Sequence, residues 1–346
     1  MCKTFLVATD FSDTAQTALS HGIELARQAK ADLHVLHVLE TDFATLLPPV
    51  DAVPDAERWV RTARTHAEQL MEEFVAEVST TEVRVTSEVL EAPTAAPAIL
   101  EQAEAHHVDT LILGTHGRRG LRRLVLGSVA EEVARLAQCS VFTVTPRCSA
   151  EAPKPQEILV AVDFSSLADR VLAEARNLAR EYDAHVTVLH AVPQPYYPPE
   201  YAAVAGEALV QSMPEMLTSA REVLEERVEA LGSFPRGCDV EAAAGRAGAA
   251  IVERAEFHEA DLIVQGSRGL SGVKHLVLGS VADHVVRCAP CPVLTLHPEV
   301  RQRAGRKGLK TLLEESVVAG PFECAQTGSA CSGLCMAAPA GSFSAR

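Results

Sequence analysis

Three glycines and a serine recur in this chain at one spacing: Gly114, Gly117, Gly127 and Ser128, then Gly266, Gly269, Gly279 and Ser280. Glycine lets a backbone turn tightly and approach a ligand with no Cβ in the way. A helix beginning just after such a loop presents unpaired amides and the positive end of its dipole, which together favour an anion. Ser128 and Ser280 add a hydroxyl donor. The chemistry this could do is to cradle a phosphate. A second reading needs no ligand: Ser128-x-x-Glu131 and Ser280-x-x-Asp283 match a capping box, and Gly114 and Gly266 would simply mark turns at strand ends.

The elements that must position these residues alternate between strand and helix periods. Phe5–Ala8 is a short apolar run, and Asp13–Lys30 carries Ala15, Ala18, Leu19, Ile23 and Ala26 at helical spacing. The pattern predicts strands at Leu33–Leu39, Glu82–Val89, Thr110–Leu113 and Ser140–Val144, and helices at Ala56–Val78, Ala95–Ala105 and Val129–Ala137. The loop around Pro48, Pro49 and Pro54 separates the second strand from its helix. The order then repeats. Strands are expected at Ile158–Val162, His185–Ala191, Asp239–Ala243, Leu262–Val264 and Val293–Leu296. Helices are expected at Ala168–Glu181, near Leu217–Leu231, at Ala247–Phe257 and at Val281–Ala289. Such alternation implies α/β architecture: two tandem, doubly wound, five-stranded parallel-sheet domains with helices on both faces. Ligands of these sheets bind beyond the carboxyl ends of the strands, where both glycine loops lie.

The duplication is direct. Phe5–Ser12 reappears as Ile158–Ser165 at an offset of 153, and His106–Thr145 matches His258–His297 at 18 of 40 positions without a gap. Between the copies, residues 146–155 are rich in proline and small residues and read as a linker. The expected domains are residues 1–147 and 155–297, joined by 148–154 and followed by a tail of 298–346. The last strand of each copy is apolar and expected at a sheet edge. It would pair with its counterpart in the other half or in a second chain, giving an intramolecular pseudo-dimer or a homodimer.

With 46 acidic against 31 basic residues, the net charge is −15, which argues against nucleic acid or an anionic membrane as partner. No apolar run approaches the roughly 18 residues of a membrane span. The N-terminal residues lack a signal-peptide pattern, and nine irregularly spaced cysteines do not form a disulfide framework, so a cytoplasmic protein is expected.

The glycine pattern after a strand, together with Val-Ala-Thr-Asp-Phe-Ser at residues 7–12, resembles the universal stress protein family in its tandem, ATP-binding form. The resemblance covers about residues 3–297. It implies a Rossmann-like fold of the adenine nucleotide alpha hydrolase-like type, with ATP or ADP, with or without Mg²⁺, in each half. Base and ribose contacts would fall on Ala8, Asp10 and Val38, the last placed after the second strand. Ribose and phosphate contacts would fall on Gly114, Gly117, Gly127, Ser128 and Val129. The matching second-half positions are Ala161, Asp163, Ala191, Gly266, Gly269, Gly279, Ser280 and Val281. An aspartate at the end of the first strand could accept hydrogen bonds from hydroxyls or an amine, or could cap the following helix. Where the family often has Gly-x-Pro after the third strand, the halves carry Glu91-Ala92-Pro93 and Gly245-Arg246-Ala247. Glu91 would weaken a nearby phosphate site and Arg246 strengthen one. Arg118, Arg119, Arg122 and Arg123, against Arg268, Lys274 and His275, either screen phosphate charge or are solvated loop residues.

No P-loop, kinase signature or Gly-x-Ser-x-Gly elbow is present, so no catalytic residue is assigned. The expected role is a nucleotide-dependent regulatory module with a protein partner; the alternatives are a slow ATP hydrolase or phosphotransferase and a scaffold that binds no nucleotide. His34, His37, His106, His107, His185, His190 and His258 lack a metal-ligand spacing and are expected to be packed or on the surface. Cys288-Ala-Pro-Cys291 sits at a helix end, where buried thiols are expected over a redox pair. Cys324, Cys331 and Cys335 lie in an Ala/Gly/Ser-rich tail expected to be disordered, with a zinc or thiol-sensing element as the alternative.

Overall fold

Leu6, Val7, Leu111 and Ile112 are consecutive apolar residues with no exposed surface, which requires a sheet covered on both faces. The computed structural model describes residues 3–41, 56–76, 82–117, 126–152, 154–193, 199–269 and 278–298. The first copy runs β1 (Thr4–Thr9), α1 (Asp13–Ala29), β2 (Asp32–Glu40), α2 (Ala56–Ala76), β3 (Val85–Ala92), α3 (Ala95–Ala105), β4 (Thr110–Gly114), α4 (Ser128–Leu136) and β5 (Ser140–Val144). The second runs β6 (Glu157–Ala161), α5 (Ala168–Tyr182), β7 (His185–Val192), α6 (Pro199–Leu231), β8 (Cys238–Ala244), α7 (Ala247–Phe257), β9 (Leu262–Gly266), α8 (Ser280–Cys288) and β10 (Val293–Leu296). No described helix is long and apolar enough to cross a membrane.

Two predicted elements differ from those observed by three residues or more at an end. The third strand starts at Val85, not Glu82, because its register is set by β2, from Leu33 opposite Val85 to Glu40 opposite Ala92. As the outermost strand it pairs on one side only, so its own polarity pattern fixes its limits weakly. Helix α6 extends far beyond the expected Leu217–Leu231 and passes through Pro214, a residue that normally interrupts a helix.

The strand order is β3-β2-β1-β4-β5-β10-β9-β6-β7-β8, one ten-stranded sheet. Every pairing is parallel except β5 with β10, where Phe142 lies opposite Leu294 and Thr143 opposite Val293. The terminal strands therefore pair within the chain, closing the edge each copy would otherwise expose. Polar contacts reinforce this seam. Thr145 Oγ1 donates to the Ala289 carbonyl (3.3 Å), Arg287 pairs with Glu131 (3.2 Å), and Arg147 of the connecting segment pairs with Glu256 (2.7 Å).

His297 follows β10 and donates from Nε2 to the Ala134 carbonyl of the first copy at 3.0 Å. It is 6% exposed, and burial pushes its pKa down from 6.5 to about 4. Because the folded value lies below the unfolded one, the stability this ring contributes is complete above pH 6.5. It is lost as pH falls toward 4, by roughly 3 kcal/mol in all. Burial also lowers the His21 pKa, so its contribution likewise falls as pH drops below 6.5. Urea unfolding between pH 7.5 and 4 should show a shallower loss of stability for His297→Gln, whose amide can still donate to Ala134. An unchanged pH slope would contradict this origin.

Candidate functional site

In each copy the chain reverses its direction of winding between the first and fourth strands, so a crevice opens beyond the ends of β1 and β4, and again beyond β6 and β9. Asp10 follows β1 directly, and its Oδ1 accepts the Ser12 amide at 3.1 Å. Asp163 does the same with the Ser165 amide at 3.0 Å. Neither aspartate is the helix cap that sequence alone left open. Ser12 caps α1, accepting the Ala15 amide, and the residue at the cap of α5 is Leu167, with no side-chain bond. The other carboxylate oxygen faces the glycine loop. A Cβ on Gly117 would lie 2.5 Å from Asp10 Oδ2, and one on Gly269 would lie 2.6 Å from Asp163 Oδ2. Only a residue without a side chain lets the loop pass this close to the aspartate.

The remaining glycines answer to other contacts. A Cβ on Gly114 would meet Thr14 Cγ2 at 2.9 Å and the Thr14 backbone at 3.2 Å; one on Gly266 would meet Leu167 Cδ2 at 2.8 Å. These two glycines admit the first turn of α1 and the approach to α5 against the strand ends. Beyond the strand, the Thr115 amide bonds the Val144 carbonyl (2.8 Å), and the Thr115 carbonyl accepts the Gly127 amide (2.8 Å). Ser267 repeats both bonds with Leu296 and Gly279 at the same distances. The start of α4, and likewise of α8, is thereby tied to the end of the strand before the loop.

The capping box is not formed. Gly127 and Gly279 occupy the cap positions with no side-chain bond, and Ser128 and Ser280 are already the first helical residues. The next intrahelical bonds begin at Glu131 and Asp283, whose amides reach the Gly127 and Gly279 carbonyls at 2.9 Å. The amides of Ser128, Val129 and Ala130, and of Ser280, Val281 and Ala282, thus lie in the first turn without a partner from their own helix. The acids of that turn, Glu131 and Asp283, both pair with Arg287, at 3.2 and 2.9 Å.

Ala8 and Ala161 are buried at the ends of their strands. Val38, expected after its strand, lies inside β2, which runs to Glu40; Ala191 lies near the end of β7, which runs to Val192. Glu91 belongs to β3 and pairs with Arg64 at 2.9 Å, so its charge is met by a helix of its own copy. Arg246 occupies the cap position of α7. Arg118, Arg119, Arg122, Arg123, Lys274, His275, the proline loop and the cysteines of the tail lie outside the described residues.

His37 and His190 are packed, as one of the two expectations had it, but sequence reasoning missed what they hold. Their Nδ1 atoms donate to the Thr9 (2.8 Å) and Val162 (2.9 Å) carbonyls, and their rings stack on Phe11 and Phe164 with centroids 4.4 Å apart in each copy. The signal was the offset of 153, at which both His and Phe recur. Phe11 holds φ at +61°, a conformation rare for a bulky residue. His116, inside the first loop, bonds Thr115 Oγ1 through Nδ1 (2.9 Å), while its buried Nε2 has no partner among the described residues. Of the pair expected to be buried, Cys291 is buried and Cys288 half-buried; burial pushes Cys139 up to about 12 and Cys291 higher still.

Fold and site together define a class, a duplicated doubly wound α/β protein with a glycine loop at each switch point. The chain belongs to the universal stress protein family, whose model matches residues 1–145 and again 155–297. It is 28% identical over 298 residues to a universal stress protein of Mycobacterium tuberculosis, covering 84% of this chain and 94% of that one. A shorter relative from Thermus aquaticus is 38% identical over 138 residues, 40% of this chain and 95% of its own. Among solved structures, a universal stress protein of Archaeoglobus fulgidus shares the fold at a TM-score of 0.60 and 21% identity, covering 85% of this chain and 98% of that one.

The two kinds of glycine should separate experimentally. Gly114→Ala forces a methyl against backbone and should cost about 1–3 kcal/mol in urea unfolding. Gly117→Ala meets only the end of a side chain and should cost within about 0.5 kcal/mol. Equal losses would contradict the assignment of Gly114 to packing and Gly117 to the loop's approach to Asp10.

Proposed function

We propose that each copy binds an adenine nucleotide, ATP or ADP, with or without Mg²⁺, and that the protein is a nucleotide-dependent regulatory module. The observation that carries this reading is the repeated junction of an uncapped helix N-terminus with a glycine passing against an aspartate. Phosphate oxygens would accept from the first-turn amides at Ser128–Ala130 and Ser280–Ala282, with the serine hydroxyls assisting. Asp10 and Asp163, on the far side of the crevice, would accept from ribose hydroxyls, keeping their charge away from the phosphates. Ala8, Ala161, Val38 and Ala191 would border the base. Gly114 and Gly266 serve this site by shaping the strand end.

Nucleotide spanning the first strand, the loop and the last helix would favour one arrangement of that surface, and so bias what it offers a regulatory partner. Because β5 and β10 already pair inside the chain, assembly with a second copy would have to use other surfaces. Calorimetric titration with ATP tests the reading. Wild type should bind two equivalents, and Gly117→Glu and Gly269→Glu should each abolish one, with urea stability as the control for folding. Absence of binding by wild type, or two equivalents retained in the double variant, would overturn it.

A further inference from the structure

At the end of the sheet opposite the glycine loops, three residues distant in sequence meet. His34 on β2, Glu88 on β3 and His106 at the end of α3 each bring a ligand atom to within 4.8 Å of the others. The parallel register sets Thr86 beside His34, so His34, Thr86 and Glu88 leave the same face of the sheet. The His34 and His106 rings lie 5.1 Å apart between centroids.

The Thr86 hydroxyl lies 2.9 Å from His34 Nδ1 and 3.5 Å from the Leu33 carbonyl, a geometry that accommodates the tautomer in which Nδ1 donates to the hydroxyl and the hydroxyl to the carbonyl. In that neutral tautomer Nε2 holds a lone pair. That nitrogen is buried, makes no hydrogen bond among the described residues, and faces Glu88 Oε2 at 3.5 Å. A lone pair aimed at a carboxylate, with a second imidazole alongside, is an arrangement that a cation between them would stabilise. The 3.5 Å separation is close to the roughly 3.3 Å edge of a tetrahedron of ligands held at zinc distances. The Thr86 contact supplies the outer hydrogen bond that orients a metal-bound imidazole.

We propose that His34, Glu88 and His106 bind a divalent transition-metal ion, with the fourth position open to solvent. Two imidazoles and one carboxylate suit zinc and its late first-row neighbours over magnesium or calcium. The ion would clamp β2, β3 and the segment entering β4 at the end of the sheet away from the glycine loops. The second copy is an internal control. Glu241 and His258 occupy the matching positions, with His258 Nε2 2.9 Å from Glu241 Oε1, but Thr187 stands where the first copy has His34. The second copy therefore lacks the third ligand, and the described residues provide one such site per chain.

Cobalt titration of the full, chelator-treated and reduced chain tests this by visible absorption. Wild type should take up one equivalent showing d–d bands without thiolate-to-metal charge transfer; any equivalent with that charge transfer belongs to cysteines and is counted apart. His34→Thr, the residue tolerated at the matching position of the second copy, should weaken the nitrogen–oxygen equivalent by about 100-fold, and Glu88→Gln by at least about tenfold. His258→Gln should leave it unchanged. The proposal is overturned if wild type shows no such equivalent, or if His34→Thr retains it at wild-type affinity.

Discussion

The hydrogen bond from the Gly127 amide to the Thr115 carbonyl, repeated from Gly279 to Ser267, brings a helix N-terminus back to the strand end that precedes it. Thr115 and Ser267 are themselves pinned by their amides to the ends of β5 and β10. The start of each helix is thus referenced to two neighbouring strands, β4 and β5 for α4, β9 and β10 for α8. A side chain at Gly127 would crowd the Thr115 carbonyl, 3.3 Å from the position of a Cβ. A side-chain cap there would cover the amides on which the proposed phosphate site relies. Serine one position later supplies a hydroxyl without closing the helix end.

Duplication and fusion give this geometry twice in one sheet. The single antiparallel pairing, β5 with β10, joins the copies through residues with no exposed surface, Thr143 and Thr295 among them. The same seam carries Arg287, which draws both first-turn acids, Glu131 and Asp283, into ion pairs. The second copy thereby contributes a cation to the helix start of the first, a contact that an isolated first copy would lack. The copies are not equivalent. His116 corresponds to Arg268 in the loops and His34 to Thr187 on the second strands, so duplicated backbones carry different side-chain chemistry.

Much of the architecture was legible because α/β alternation writes itself into hydrophobic period. Ala95–Ala105, Ser140–Val144, Ala247–Phe257 and Val293–Leu296 have the limits that the pattern predicts. The glycine loops were legible as a backbone feature because both copies hold the same spacing. What sequence could not divide was the work of the individual glycines. Gly114 and Gly117 look alike on the page, yet one admits Thr14 and the other Asp10. The outer strand β3 was misplaced because its register is imposed by β2. The His34, Glu88 and His106 grouping was invisible for the same reason: cross-strand neighbours are set by register, which local spacing does not encode.

Phosphate binding as proposed requires that the first-turn amides of α4 and α8 stay uncapped, as Gly127 and Gly279 leave them. A crystal structure of the full chain soaked with ATP tests it most directly. Triphosphate density within hydrogen-bonding distance of the amides of residues 128–130 and 280–282 is the expected result. Both crevices empty at millimolar ATP, with those amides bonded to the protein's own groups, would contradict it.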